Sequence, residues 1–194
     1  MATHRLTFPT TEEQIRELRA GDEVTVDGHI IGIRDRTQIR IFDQGMEPPM
    51  DLAGAFLLHT APGVRKLEDG RYEKVCIGTT TSARMVRFTE PLGERYGVRA
   101  ICGKGGFPDE AIEPMRRLGM VYFAIVGGAA ALETTQIEEI EEVAWEELMP
   151  ECLWKFRVKD FGPLTVGIDA HGNSLYREVQ AEATKRLEEI LARL

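Results

Sequence analysis

Short apolar runs that end on turns rich in glycine or hydroxyl residues constrain this chain more than any other feature. Between residues 55 and 126, the runs 55–58, 74–77, 98–102 and 121–126 have the length of strands and are too brief for buried helices. Helical spacing separates them. Residues 108–118 fit a helix stopped by Gly119, and another helix opens at Ala129 after Gly127-Gly128. Strands alternating with helices predict an α/β domain.

The flanks follow the same logic. Thr11-Glu12-Glu13-Gln14 has the pattern of a capping box, and Ile15 and Leu18 follow at helical spacing. A short helix is expected to end near Ala20, before Gly21. Glu23–Ile33 reads as two strands broken by a hairpin turn at Asp27-Gly28, and residues 34–43 as a helix. Residues 156–158 and 164–168 read as late strands, His171-Gly172-Asn173 as a turn, and 177–194 as an amphipathic terminal helix. The 194 residues suffice for a single domain with a real core, residues 1–20 forming an N-terminal extension.

Charge excludes several partners. The net charge is −8, with acid concentrated at Glu138, Glu139, Glu141, Glu142, Glu146 and Glu147. Ile137, Ile140 and Trp145 lie among these, so the stretch reads as a solvated helix face beside a buried one. An acidic chain is a poor match for nucleic acid or for an anionic membrane. No apolar run approaches the roughly 20 residues that span a bilayer, and no apolar segment backs the first five residues as in a secretory signal. A cytoplasmic protein is expected. Cys76, Cys102 and Cys152 are odd in number and far apart, which argues against a disulfide framework. Core packing is expected for all three.

Two turns carry the chemistry. Gly78-Thr79-Thr80-Thr81-Ser82-Ala83-Arg84 follows a strand-like run, and four successive hydroxyl residues suit a turn that opens a helix. Free backbone N–H groups and hydroxyls at such a helix start bind anions, and Arg84 adds a guanidinium that clamps carboxylates through paired hydrogen bonds. Gly103-Lys104-Gly105-Gly106 repeats the arrangement after the next strand, with a point charge on Lys104. It lacks the spacing of a Walker A loop. A KH-type Gly-x-x-Gly reading would require a basic surface, and this chain is acidic. Arg34, followed by Asp35, ends a third strand, and His59 ends a fourth. In open α/β sheets ligands gather at the carboxyl ends of strands, so the turns together point to a small anionic, carboxylate-bearing ligand. The four histidines show no metal-ligand spacing, and no Ser–His–Asp set or carboxylate pair stands out. The chain offers cations and hydroxyls for a diacid, without a visible electrophile.

In order along the chain, Gly-Thr-Thr-Thr-Ser-Ala-Arg-Met (78–85), Ile-Cys-Gly-Lys-Gly-Gly-Phe (101–107), Gly-Gly-Ala-Ala-Ala-Leu (127–132), Leu-Trp-Lys-Phe-Arg-Val-Lys-Asp-Phe (153–161) and Ile-Asp-x-x-Gly-Asn (168–173) form an ordered set. The set resembles the motifs of class I (iron–sulfur) fumarate hydratases and L-tartrate dehydratases, specifically their C-terminal domain, often a separate β subunit. The likeness runs from about Gly21 to Tyr176. It implies a swivelling domain of β/β/α layers that closes over a site on an α subunit, in an α2β2 assembly. It also implies a 4Fe–4S cluster held by the α subunit's own cysteines, whose open iron acts as Lewis acid, and no metal on this chain. On matching positions, the resemblance makes Thr80 the catalytic base and Arg34, Thr80, Arg84 and Lys104 the groups that bind a dicarboxylate. Asp35, Gln38, His59 and Thr81 are accessory candidates. The implied reaction is reversible hydration of fumarate to malate, with L-tartrate dehydration as the alternative, active only with the α subunit.

The chain departs from the family pattern at Gln38, where histidine is usual, and at Val86, where aspartate is usual. His59-Thr60-Ala61-Pro62 replaces the usual Gly-Pro. These changes spare the principal grips and admit a member acting on a related hydroxy-diacid. A rival reading from another class is a non-catalytic assembly module that retains an anion pocket.

Overall fold

The computed structural model describes residues 1–127 and 130–193. β1 (Thr3–Phe8) turns Leu6 and Phe8 inward, a pattern too short to single out in the sequence. α1 (Glu12–Arg16) forms the predicted capping box between Thr11 and Gln14 but ends sooner than its spacing suggests, although Leu18 is still buried. β2 (Glu23–Ile33) is one continuous strand, not the expected hairpin. Gly28 has a positive φ of 97°, yet the chain does not reverse there. β1 runs parallel beside it with Phe8 opposite Gly28, and a Cβ on Gly28 would lie 2.3 Å from the Phe8 carbonyl oxygen. The glycine permits a bulge and a close strand approach instead of a turn.

α2 (Asp35–Phe42) and β3 (Phe56–His59) follow. β4 (Gly63–Lys66) and β5 (Tyr72–Cys76) pair only with each other, as a separate ribbon. The expected 74–77 strand therefore faces solvent: Val75 is 65% exposed and Cys76 is exposed, which corrects the expectation that this cysteine packs in the core. A 3-10 segment (Ala83–Phe88) leads into α3 (Thr89–Tyr96), then β6 (Ala100–Gly103), α4 (Ile112–Leu118) and β7 (Val121–Ala124). α5 (Ala130–Gln136) comes next; its expected start at Ala129, and Gly128 of the expected Gly127-Gly128 entry, lie outside the described residues. β8 (Ile137–Ala144), β9 (Leu153–Ile168) and α6 (Leu175–Leu191) complete the chain.

Seven strands form one sheet in the order β1-β2-β3-β6-β7-β9-β8, and β9 also pairs with β2. β1, β2, β3, β6 and β7 are mutually parallel, while β9 runs antiparallel to β2, β7 and β8. The sheet thus curls back on itself. β9 is a single bent strand where two were expected, because Asp160 (φ 52°) and Gly162 (φ 138°) break the apolar pattern without breaking the strand. Period-two alternation sends Phe56, Phe123, Phe156 and Phe161 to the interior, where Phe56 and Phe123 stack at 5.6 Å. Leu57, Ile101 and Tyr122 face the other way, under α2, α3 and α4.

The acidic stretch is a strand and not the expected helix face. Ile137, Ile140 and Val143 recur every third residue, which imitates a helix. Register shifts after Ile137 and after Ile140 bring them opposite Val158, Phe156 and Trp154 of β9. The glutamates between them line an exposed edge, where Glu139 pairs with Arg157 at 2.6 Å. α6 starts from a Ser174 cap as an amphipathic pattern predicts, but none of its residues is buried. Among the described residues, no helix is long and apolar enough to cross a membrane. The fold is mixed α/β around a dominant sheet.

Candidate active site at the strand ends

The parallel strands β2, β3, β6 and β7 end together, with Ile33 opposite His59 and Gly103 opposite Ala124. Arg34 and Lys104 are the next residues on two of them. The hydroxyl segment enters this row from the β4–β5 ribbon. Thr79 bridges to Thr60 and Thr81 to Lys104. The Thr80 amide donates to the His59 carbonyl at 2.7 Å, the Lys104 amide to the Thr80 carbonyl at 3.2 Å, and the Ser82 amide to the Lys104 carbonyl at 3.3 Å. The four hydroxyl residues are therefore a strand-like insert between the ends of β3 and β6. They do not form the free helix start the sequence suggests: the 3-10 segment opens at Ala83, and Ser82 makes no side-chain cap. The Thr80 and Ser82 amides are therefore engaged with backbone and not free to meet an anion.

A buried polar wedge locks the two turns together. Ser82 Oγ and His59 Nδ1 are 2.8 Å apart. Tyr122 Oη donates to the Gly103 carbonyl at 2.9 Å and the Gly105 carbonyl at 3.1 Å, beneath the Lys104 loop. Only glycine fits at 103, since a Cβ there would lie 2.0 Å from Ser82 Oγ and 2.9 Å from the Thr80 carbonyl oxygen. Burial, opposed in part by Asp35 and aided by Arg84, pulls the His59 pKa down to about 3. The imidazole is neutral, and its buried Nε2 has no hydrogen-bond partner among the described residues. Ser82 and Tyr122 escape sequence reasoning as site residues. Ser82 looks like one more turn hydroxyl, and Tyr122 reads as part of an apolar run.

The cations form a chain of contacts. Arg84 Nε and Nη2 each lie 2.7 Å from one oxygen of Asp35, and Arg84 Nη1 donates to the Thr81 carbonyl at 3.2 Å. Arg34 Nε is 3.3 Å from Asp35 Oδ2 and 3.7 Å from Glu151 Oε1. Burial alone would raise the Asp35 pKa, but hydrogen bonds and charge from Arg84 hold it below its ordinary value. Lys104 makes no ion pair among the described residues, and its side chain lies where a Cβ on Gly127 would come within 2.7 Å of Lys104 Cδ. Thr80 is 9% exposed, and its hydroxyl has no hydrogen bond among the described residues. Gln38 is turned inward: Nε2 meets Met85 Sδ at 3.0 Å, and Oε1 is buried without a partner among the described residues. The structure thus joins Arg34, Asp35, His59, Thr80, Thr81, Arg84 and Lys104 in one contact network and sets Gln38 beneath it.

The thiols stand apart from this network and from one another. Cys102 is buried in β6, where burial and Glu133 push its pKa well up, and burial raises Cys152 to about 11. Cys76 is exposed at the end of β5. Among the described residues, no three His, Cys, Asp or Glu side chains come together to hold a metal ion.

Residues 2–179 match the family model described as Fumarase C-terminus. L(+)-tartrate dehydratase subunit beta of Escherichia coli (strain K12) is 41% identical over 174 residues, covering 89% of this chain and 86% of that protein. A Methanocaldococcus jannaschii protein named "Putative L(+)-tartrate dehydratase subunit beta" is 36% identical over 186 residues, covering 93% of this chain and 95% of the relative. A Geobacillus stearothermophilus protein named "Putative fumarate hydratase class I" is 37% identical over 183 residues, which span 94% of this chain and 35% of that longer protein.

Proposed function

The chain belongs to the Fumarase C-terminus family, and from that premise we propose that it is the β subunit of a hydro-lyase acting on a four-carbon dicarboxylate, fumarate and malate or L-tartrate. The observation that carries the reading is the joining of Arg34, Arg84 and Lys104 to the Thr80 turn at one end of the sheet. Relatives named as β subunits of tartrate dehydratase match nearly end to end, which supports a separate subunit working with an α partner; the α2β2 assembly is part of the proposal. The longer relative named for fumarate hydratase supports the fumarate reading equally. In this proposal the domain swivels to close over the α subunit's site.

The 4Fe–4S cluster belongs to the α subunit in this reading. This chain's own residues do not fit such a group, because among the described residues no three His, Cys, Asp or Glu side chains come together, and Cys76 is exposed while Cys102 and Cys152 are buried. Arg34, Arg84 and Lys104 bind the carboxylates, and Thr80 takes a proton from the carbon next to one of them. The electron pair of that C–H bond moves into the carboxylate as an aci-carboxylate, whose added charge the cations stabilise. That pair then forms the C=C bond as hydroxide leaves the adjacent carbon; the hydroxide takes up a proton from solvent to depart as water, and Thr80 returns the proton it took to solvent. A threonine hydroxyl is a weak base, so nearby cations have to activate it. Lys104 is the cation assigned this task here, and the pairing of its backbone amide with the Thr80 carbonyl supports that assignment.

Anaerobic coexpression with the α partner tests the reading by assay of fumarate hydration and of malate and L-tartrate dehydration. Turnover of at least one substrate is expected, with none from the isolated chain. A complex with an intact cluster that acts on none of them defeats the assignment. Thr80→Ala should abolish turnover without dissolving the complex, whereas a mere assembly module would lose nothing.

A further inference from the structure

Arg84 stands at the head of the 3-10 segment with its side chain 45% exposed. A long side chain in that setting samples many rotamers, so it meets a ligand in one orientation only if something holds it. Asp35 does so from 49 residues away in sequence. Its two oxygens take the Nε and Nη2 hydrogens of the guanidinium at 2.7 Å each, a side-on fork. The Thr81 carbonyl takes an Nη1 hydrogen at 3.2 Å. A guanidinium has five N–H bonds. The two left over are one on each Nη atom, and they form the end-on edge when Thr81 takes the Nη1 hydrogen on the Cδ side.

Asp35 is itself well anchored. It is the first residue of α2, where a carboxylate is favoured by the helix dipole, and its Oδ2 also lies 3.3 Å from Arg34 Nε. Glu151 accepts the Arg36 amide at 2.9 Å and so braces the same helix start. One carboxylate therefore sets the spacing of both arginines.

We propose that Asp35 is a positioning residue that locks Arg84 side-on, so that its end-on edge receives a carboxylate of the substrate while Arg34 is held at a fixed distance beside it. This rests on the dicarboxylate reading above. The same contacts would also suit a stand-in, an internal carboxylate that occupies Arg84 until substrate displaces it. The two roles differ in sign. Asp35→Asn removes one negative charge near a dianion, so electrostatics and relief of competition both tighten binding. Weaker binding can come only from lost orientation.

The test measures steady-state kinetics of Asp35→Asn in the reconstituted complex, alone and combined with Arg84→Lys. KM should rise and kcat/KM fall by about 10- to 100-fold, the range set by small misplacements of a binding group. Adding Asp35→Asn to Arg84→Lys should cost little more, because the fork it maintains is already gone. A lower KM, an unchanged kcat/KM, or full additivity in the double variant overturns the proposal. A second measurement, the NMR signal of the Arg84 Nε–H in the isolated full chain, separates this idea from the enzymatic reading. It should be protected from solvent exchange and lost in Asp35→Asn. Should the wild-type complex act on no dicarboxylate, the function falls, yet persistence of that signal in Asp35→Asn would independently overturn the tether.

Discussion

Gly103→Ala tests the packing that joins the two turns. The added methyl would sit 2.0 Å from Ser82 Oγ, 2.9 Å from the Thr80 carbonyl oxygen and 3.3 Å from His59 Cβ. Rotating Ser82 relieves the first contact but abandons its bond to His59, worth about 1 kcal/mol. The second contact is with backbone, which the Lys104 amide holds in place, so the turn has to move. An ordinary carbon–oxygen contact is about 3.3 Å, and the Thr80 carbonyl would shift by roughly 0.4 Å to reach it. Overpacking of this kind costs about 1–3 kcal/mol. The sum is about 2–4 kcal/mol, or a melting point lower by roughly 4–16 °C for a chain of this size. A shift of this size at a reacting group is expected to lower kcat by about 10-fold. KM should change less, because Arg34 and Arg84 lie outside the wedge. Thermal unfolding and steady-state kinetics of the complex provide the measurement. Adding Ser82→Gly removes the 2.0 Å clash but not the backbone one, so it should restore part of the stability and little of kcat. A Gly103→Ala protein with the wild-type melting point and kcat would refute the described packing.

Two further predictions concern pH. His59 is buried with its pKa pulled down to about 3, so between its ordinary value near 6.5 and that point only the unfolded chain takes up the proton. Its contribution is complete above pH 6.5 and falls away as pH drops toward 3, by up to about 1.4 kcal/mol per pH unit. Urea midpoints at pH 7.5 and 5 should diverge less for His59→Gln than for wild type, and identical divergence would count against a neutral buried imidazole. Glu133 behaves oppositely: both carboxylate oxygens are buried without partners among the described residues, and burial raises its pKa to about 7. Stability from its protonated form is present below about 4.5 and lost as pH rises through 7. Glu133→Gln should therefore be more stable than wild type at pH 8.5, by about 1–3 kcal/mol, with the gap closing toward pH 4.5; a constant gap in urea unfolding would contradict this.

What the sequence made legible was whatever lies contiguous in it. The apolar runs that became β3, β6 and β7, the capping box of α1 and the two strand-end turns are all local patterns, set by residue spacing. Bulges defeated that method. In β8 they turn a three-residue spacing into one strand face, and at Gly28 and Gly162 they keep β2 and β9 whole where turn residues suggested breaks. A spacing rule assumes an unbroken period, and a bulge changes the period by one residue.

The site followed the same divide with a sharper consequence. Thr80 and Lys104 belong to separate motifs, each expected after a strand of the sheet, but β5 lies outside that sheet and it is the Thr79–Thr60 and Thr81–Lys104 bridges that set the Thr80 segment between the ends of β3 and β6. Charge partners depend on register and helix placement as well. Arg34-Asp35 reads as one cation followed by an incidental acid, and Arg84 as a free cation on another turn. In the fold the aspartate reaches Arg84 with both oxygens and Arg34 with one. Counting Arg34, Arg84 and Lys104 as three free positive charges therefore overstates the pull on a dianion, since Asp35 and Glu151 offset two of them. Selection among anions then depends less on net charge than on which N–H bonds remain unclaimed, and Asp35→Asn is the substitution for which those two accounts predict opposite signs.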